Sequence, residues 1–189
     1  MRQGVMWIPW EGAGLEHLFL QENGEGVLAD GVVIGASEDE HFRIRYRVRC
    51  DVRWRVRELM LQSLEDRGRE VRLLADGEGR WWSGDGESLP LLQGCIDVDI
   101  STTPFTNTLP IRRRHLGSGE SGEIRVAYAE IPGMAVRPER QRYTCLEHHT
   151  RGDLYGYQSL DGSGFTADLT VDADGLVLDY PGLFRRVRL

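Results

Sequence analysis

Phe42-Arg43-Ile44-Arg45-Tyr46-Arg47-Val48-Arg49-Cys50-Asp51-Val52-Arg53-Trp54-Arg55-Val56 alternates without a fault, apolar or Cys at even positions and charged at odd ones. A period of two is the mark of a strand with one face buried and the other solvated. One long bent strand, or a hairpin turning near Asp51, satisfies it. Either way a ribbon of arginines, continued by Arg57, stands opposite an apolar face. Such a ribbon is a solvent-facing sheet side paired with acids across strands, or a row that attracts anions. Glu58-Leu59-Met60 then shifts the phase, which implies a bulge or a strand end.

Outward from this stretch, Asp-Gly pairs at Asp30-Gly31, Asp76-Gly77, Asp85-Gly86, Asp161-Gly162 and Asp174-Gly175 punctuate the chain as hairpin turns do. Residues 1–10 read as a terminal strand or cover, and 14–22 and 26–35 as the next strands. Residues 123–131, 141–150, 153–159 and 164–171 read as later ones, and no segment carries a long helical period. The expected fold is all-β: a long curved antiparallel sheet forming a half-barrel or barrel, with little helix. Stretches near 53–82 and 141–181 echo each other faintly, as an internal duplication would make them. Residues 117–122, Gly-Ser-Gly-Glu-Ser-Gly, read as a flexible linker between halves.

The chain of 189 residues suits one domain spanning 1–189, and its 40% hydrophobic and 28% charged content is that of a globular protein. A net charge of −7 argues against a nucleic-acid partner. Apolar runs are too short to span a membrane. The N-terminus has no apolar signal core, so a cytoplasmic location is expected. Cys50, Cys95 and Cys145 are odd in number and lack metal spacing, and read as reduced and mostly buried. His148 and His149, adjacent on a strand, point to opposite faces and cannot easily share a metal. Asp172-Ala173-Asp174-Gly175 starts like a calcium loop but lacks the remaining ligands, and reads as a hairpin. No phosphate-binding, dinucleotide-binding or nucleophile-elbow motif is present, and no cofactor or metal is expected.

The least generic stretch runs from Gly94 to Arg114. Ile96, Val98 and Ile100 share one strand face, and Asp97 and Asp99 the other, roughly 7 Å apart. Paired carboxylates raise each other's pKa unless cations are supplied, and Arg112 and Arg113 are the local supply. The prolines at 104 and 110 are expected to forbid regular helix and to place Asn107 beside the charged cluster. The carboxylate pair reads as a structural ion network, as a polar site for sugar hydroxyls, or as a pair of the kind used by inverting glycosidases.

Cys95-x-Asp97-x-Asp99-Ile100, followed by Thr103-Pro104-Phe105-Thr106-Asn107-Thr108-Leu109-Pro110-Ile111-Arg112-Arg113, resembles the signature of a bacterial family called "putative glycolipid-binding". Gly14-Leu15-Glu16-His17, Tyr46-x-Val48-x-x-Asp51-x-x-Trp54, Val126-Ala127-Tyr128, Gln141-x-Tyr143 and the closing stretch from Asp174 to Arg186 agree with it. The resemblance implies non-enzymatic binding of a small amphiphile, a glycolipid, in the concavity of the sheet, with a role in glycolipid metabolism or handling. Its apolar or sugar part would meet Trp54, Trp82, Tyr128, Tyr143, Tyr157 and Tyr180. Its polar part would meet Arg112, Arg113 and Asp97 or Asp99, with Glu16, His17 and Asn107 as further candidates. The alternative is a small hydrolase or isomerase acting on a sugar-containing substrate, with Asp97, Asp99 or Glu16 as acid-base groups.

Overall fold

The computed structural model describes residues 1–37, 40–66 and 68–187. Its strands are β1 (Arg2–Pro9), β2 (Gly14–Asn23), β3 (Gly26–Ser37), β4 (Glu40–Cys50), β5 (Val56–Ser63), β6 (Glu70–Ala75) and β7 (Trp81–Ser83), then β8 (Asp97–Ile100), β9 (Ser121–Glu130), β10 (Ala135–His149), β11 (Gly152–Ser159), β12 (Thr166–Asp172), β13 (Val177–Tyr180) and β14 (Phe184–Arg186). One short helix, α1 (Thr108–Arg114), interrupts them.

The Phe42–Val56 alternation is the β4–β5 hairpin. Asp51 makes the turn, its Oδ1 accepting from the backbone N–H of Arg53 and Arg55 at 2.9 and 3.1 Å. Val52, at 61% exposure, drops off the apolar face there, whereas Trp54 is buried with a φ of 61°. The phase shift is a bulge: the register slips between Arg49 and Cys50, after which Val56, Leu59 and Leu61 point inward. The arginine ribbon is a solvated face held by neighbouring acids. Arg45 and Arg47 both reach Asp30, at 2.6 and 2.9 Å, and Arg49 reaches Glu58 at 3.8 Å.

Asp30-Gly31, expected as a turn, lies inside β3. Gly31 pairs with Tyr46, and a Cβ there would stand 2.3 Å from the tyrosine ring. The glycine leaves room for the ring to lie across its own strand. Gly31→Ala is therefore expected to destabilise the protein by about 1–3 kcal/mol through overpacking, read from the midpoint of urea unfolding. An unchanged midpoint would refute this packing.

Strand order follows chain order, β7 to β1 and then β14 to β8, so seven strands stand on either side of the β1–β14 junction. The two echoing stretches fall one in each set. The N-terminal strand is not a cover but this central junction, pairing with β2 on one side and β14 on the other. The sheet curls until its two ends face each other. Gly94 N–H donates to Gly79 O at 2.8 Å, Trp81 Nε1 to Cys95 O at 2.8 Å, and Val56 N–H to Ile96 O at 3.4 Å. β7 and β8 do not pair, so the barrel stays open at that seam.

Among the described residues all pairings are antiparallel except β8 with β9, which is parallel. Parallel neighbours need a long crossover, and here the chain from Ser101 to Glu120 supplies it by passing through the interior of the curl. Phe105 and Leu109 are fully buried in one core cluster with the inward residues of β1–β5, and Ile111 in a second with those of β9–β13. The expectation that the prolines exclude helix is corrected. Pro104 opens a 3-10 turn (Pro104–Asn107), and Pro110 sits in the first turn of α1, where a missing N–H costs no intrahelical bond. The expected flexible linker is likewise a bonded turn: Gly119 N–H donates to Cys145 O at 2.7 Å and Glu120 N–H to Gly117 O at 2.8 Å. With the crossover inside it, the curl is filled by the core, and clefts lie beside it.

Candidate functional site

Two of these clefts meet. The first, of about 340 Å³, is apolar and lies between the Gly14 end of β2, the Val33–Ala36 end of β3, Trp7, Phe42, Ile131 and the Leu183–Phe184 segment. Leu15 and Ile34, cross-strand partners, are exposed at its mouth. The second, also about 340 Å³, is lined by Tyr128, Tyr157, Phe165, Tyr180 and Phe184 together with Asp99, Thr103, Asn107, Arg137, Glu139, Ser159, Asp161 and Ser163. Ser101, Leu183 and Phe184 border both, so the clefts are neighbours: an apolar arm and an aromatic, polar arm on either side of these three residues.

Aromatic packing builds the polar arm. Tyr157 lies 5.4 Å edge-on from Tyr143 and 6.2 Å from Tyr180, while Tyr180 lies 6.3 Å from both Phe165 and Phe184. Tyr143 sits beneath, its hydroxyl donating to Asn107 Oδ1 at 2.8 Å, and Asn107 Nδ2 donates to Pro104 O at 3.1 Å. Asp99 accepts from Thr106 Oγ1 at 3.0 Å and Gln141 Nε2 at 2.6 Å. Burial pushes its carboxyl up from the ordinary range against those two bonds. Arg137 stacks 4.6 Å over Tyr128 and is itself neutralised by Glu130 at 2.7 Å and Glu139 at 2.9 Å. Asp99, Glu139 and Asp161 thus face one already paired guanidinium.

The apolar arm has one acid in its wall. Glu16 is 3% exposed; its Oε1 accepts from Tyr46 Oη at 2.5 Å and from Thr103 Oγ1 at 2.7 Å. Burial pushes its pKa up to about 8, with the two hydroxyl bonds opposing. At neutral pH it is a carboxylic acid.

Of the expected site residues, Asp99, Asn107, Tyr128, Tyr157 and Tyr180 line the polar arm, Tyr143 supports it, and Glu16 belongs to the apolar arm. The others lie apart. His17 is exposed on the outer side of β2, and Trp82 sits in β7 at the free edge. Trp54, under the Arg112 guanidinium at 4.7 Å, donates to Glu22 at 3.2 Å, and Arg112 itself reaches Glu22 at 3.2 Å and Asp174 O at 3.2 Å. Asp97 and Arg113 form a buried bidentate pair, at 3.0 and 2.6 Å. Arg112, Arg113 and Asp97 thus have internal partners, and of the carboxylate pair it is Asp99 that borders the polar cleft. Thr103, Arg137, Glu139, Phe165 and Phe184 were not expected at the site. For Phe165 the alternation of 165–171 was a signal, but one that reads as core.

Cys145 Sγ lies 3.5 Å from His148 Nε2, and His148 Nδ1 lies 2.9 Å from Asp153. The order resembles a nucleophile, base and orienting acid. However, Cys145 has 0% exposure and burial pushes its thiol up, so no thiolate is offered to a substrate. Among the described residues no three His, Cys, Asp or Glu side chains converge on a metal position, and no helix is long and apolar enough to cross a membrane.

Comparison with known proteins adds two findings. The family profile described as "Putative glycolipid-binding" matches residues 4–186. The crystal structure of a DUF1089 family protein from Pseudomonas aeruginosa is similar at a TM-score of 0.84, with 41% identity over 94% of each chain. No curated protein matches the chain.

Proposed function

The chain belongs to the family described as "Putative glycolipid-binding", whose profile covers it, and on that premise we propose that it holds one glycolipid-like amphiphile without chemistry, its alkyl chain in the apolar arm and an uncharged sugar in the polar arm. The observation that carries the reading is the junction: an apolar cleft and an aromatic, hydroxyl- and carboxylate-lined cleft share Ser101, Leu183 and Phe184. Aromatic faces suit the C–H faces of a sugar, and carboxylates accept from its hydroxyls. The three acids against one neutralised arginine disfavour a phosphate or sulfate headgroup.

Dodecyl maltoside, kept below its micelle concentration, is expected to bind at one site per chain by calorimetry and to raise the melting temperature. Maltose alone and dodecyl phosphate should bind much more weakly. Phe184→Ala, at the junction, is expected to weaken dodecyl maltoside about 10-fold, near 1.4 kcal/mol. If dodecyl maltoside gives neither heat nor a melting shift, and protein purified from its own host carries no extractable lipid, the reading falls.

The hydrolase or isomerase reading retains Glu16 as its acid, because Asp97 is committed to Arg113 and Asp99 to Thr106 and Gln141. It is supported by the pKa of about 8. It predicts turnover of sugar esters or glycosides that Glu16→Gln abolishes, where a binder shows none.

A further inference from the structure

The apolar arm is bordered by two polar atoms with no partner. Glu16 Oε2 and Thr102 Oγ1 both belong to residues lining this cleft, and neither has a hydrogen-bond partner among the described residues. The other oxygen of Glu16 is saturated, because Tyr46 from β4 and Thr103 from the crossover both donate to Oε1. A neutral acid so bonded carries its proton on Oε2. The cleft wall therefore holds two O–H donors, from Glu16 and Thr102, and no acceptor for either.

Buried donors without acceptors are uncommon in folded proteins, and each calls for a reason. Each of the two oxygens has less than 1 Å² exposed, in a residue that lines the cleft. The proton on Oε2 can be re-aimed about its own C–O bond while Oε1 keeps both of its donors. The matching group is an acceptor with two lone pairs and no proton to give, embedded in hydrocarbon. That describes the carbonyl oxygen of an ester or amide. An alkyl chain has no acceptor, and a free carboxylate would bring a charge into the apolar cleft.

We propose that Glu16 and Thr102 recognise the acyl carbonyl of the bound amphiphile, so that the protein selects acyl-linked over ether-linked chains. The inference rests on the amphiphile-binding reading above and narrows it to a class of linkage. Tyr46 is the titratable group bonded to Glu16; burial holds its phenol well above the ordinary range, so it stays a donor. Glu11 shares the cleft and is exposed at its mouth.

The test compares a sucrose dodecanoyl ester with the matching dodecyl ether, by calorimetry, at pH 6 and pH 9. For the unaltered protein at pH 6 the ester is expected to bind about 10-fold or more tighter, the preference shrinking at pH 9 as Glu16 ionises. Glu16→Gln, which keeps an N–H donor in place, should retain the preference at both pH values. Thr102→Val and Glu16→Leu should bind the two ligands nearly equally; Thr102→Val serves if the leucine variant does not fold. Equal affinity of the unaltered protein for ester and ether at pH 6 overturns the linkage inference and leaves amphiphile binding standing. Binding of neither ligand overturns both.

Discussion

Arg113→Met is expected to lower the unfolding free energy by about 3–5 kcal/mol, the range seen when one partner of a buried ion pair is removed. Asp97 has 0% exposure and takes both of its strong bonds from Arg113, at 3.0 and 2.6 Å. Without the guanidinium the buried carboxylate loses both of these bonds and its paired counter-charge, and only the more distant charge of Arg114 still favours it. Burial already pushes Asp97 up from the ordinary carboxylate range, with Arg113 and, more weakly, Arg114 opposing; removing Arg113 leaves burial opposed by Arg114 alone. A folded-state pKa above the unfolded one means that the folded protein holds a proton the unfolded chain has released, so stability declines as pH rises. The deficit of the variant should therefore be larger at pH 8 than at pH 5. Adding Asp97→Asn should restore part of it, because the buried charge is then gone. Urea unfolding of the single and double variants at both pH values provides the check. A deficit below 1 kcal/mol, or one that shrinks as pH rises, would show that the pair does not hold the crossover.

The second large effect concerns Glu16, and here charge itself is the liability. Its pKa is raised from 4.5 to about 8 by burial. Between those values the folded protein carries one proton more than the unfolded chain. Stability is therefore highest below about pH 4.5 as far as this group is concerned, falls through the interval, and changes no further above pH 8. At ~1.4 kcal/mol per pH unit, the loss is on the order of 5 kcal/mol. Glu16→Gln removes this group's titration, so its stability should fall less over this interval than that of the unaltered protein and exceed it at pH 8. A stability profile that stays level from pH 5 to 8 with glutamate in place would sink the argument. The same titration gates the proposed carbonyl contact, but the stability measurement needs no ligand.

Much of the fold was legible because strand signals are local. Phe42 to Cys50 shows its two faces through the alternation of its own side chains, and Asp51 supplies its turn through its own carboxylate. The exceptions have long-range causes. Asp30-Gly31 carries turn chemistry yet lies mid-strand, because Gly31 is needed beneath Tyr46 and Asp30 opposite Arg45 and Arg47. The prolines of the central stretch exclude the middle of a helix but not its first turn, and only the parallel pairing of β8 with β9 requires that segment to cross the interior.

The site divides in the same way. Asp97 and Asp99 are two residues apart on one strand and look equivalent in sequence. One is closed off by Arg113 while the other borders the polar cleft, because different neighbours face them. By itself the chain's pattern determined strands, most turns, an arginine-lined face and, through motifs each short in sequence, family membership. Tertiary structure alone decided that β1 joins β14, that the crossover fills the curl, and that Ser101 meets Leu183 and Phe184 where two clefts join. Residues some eighty positions apart come together there through burial and long-range pairing, which no local period encodes.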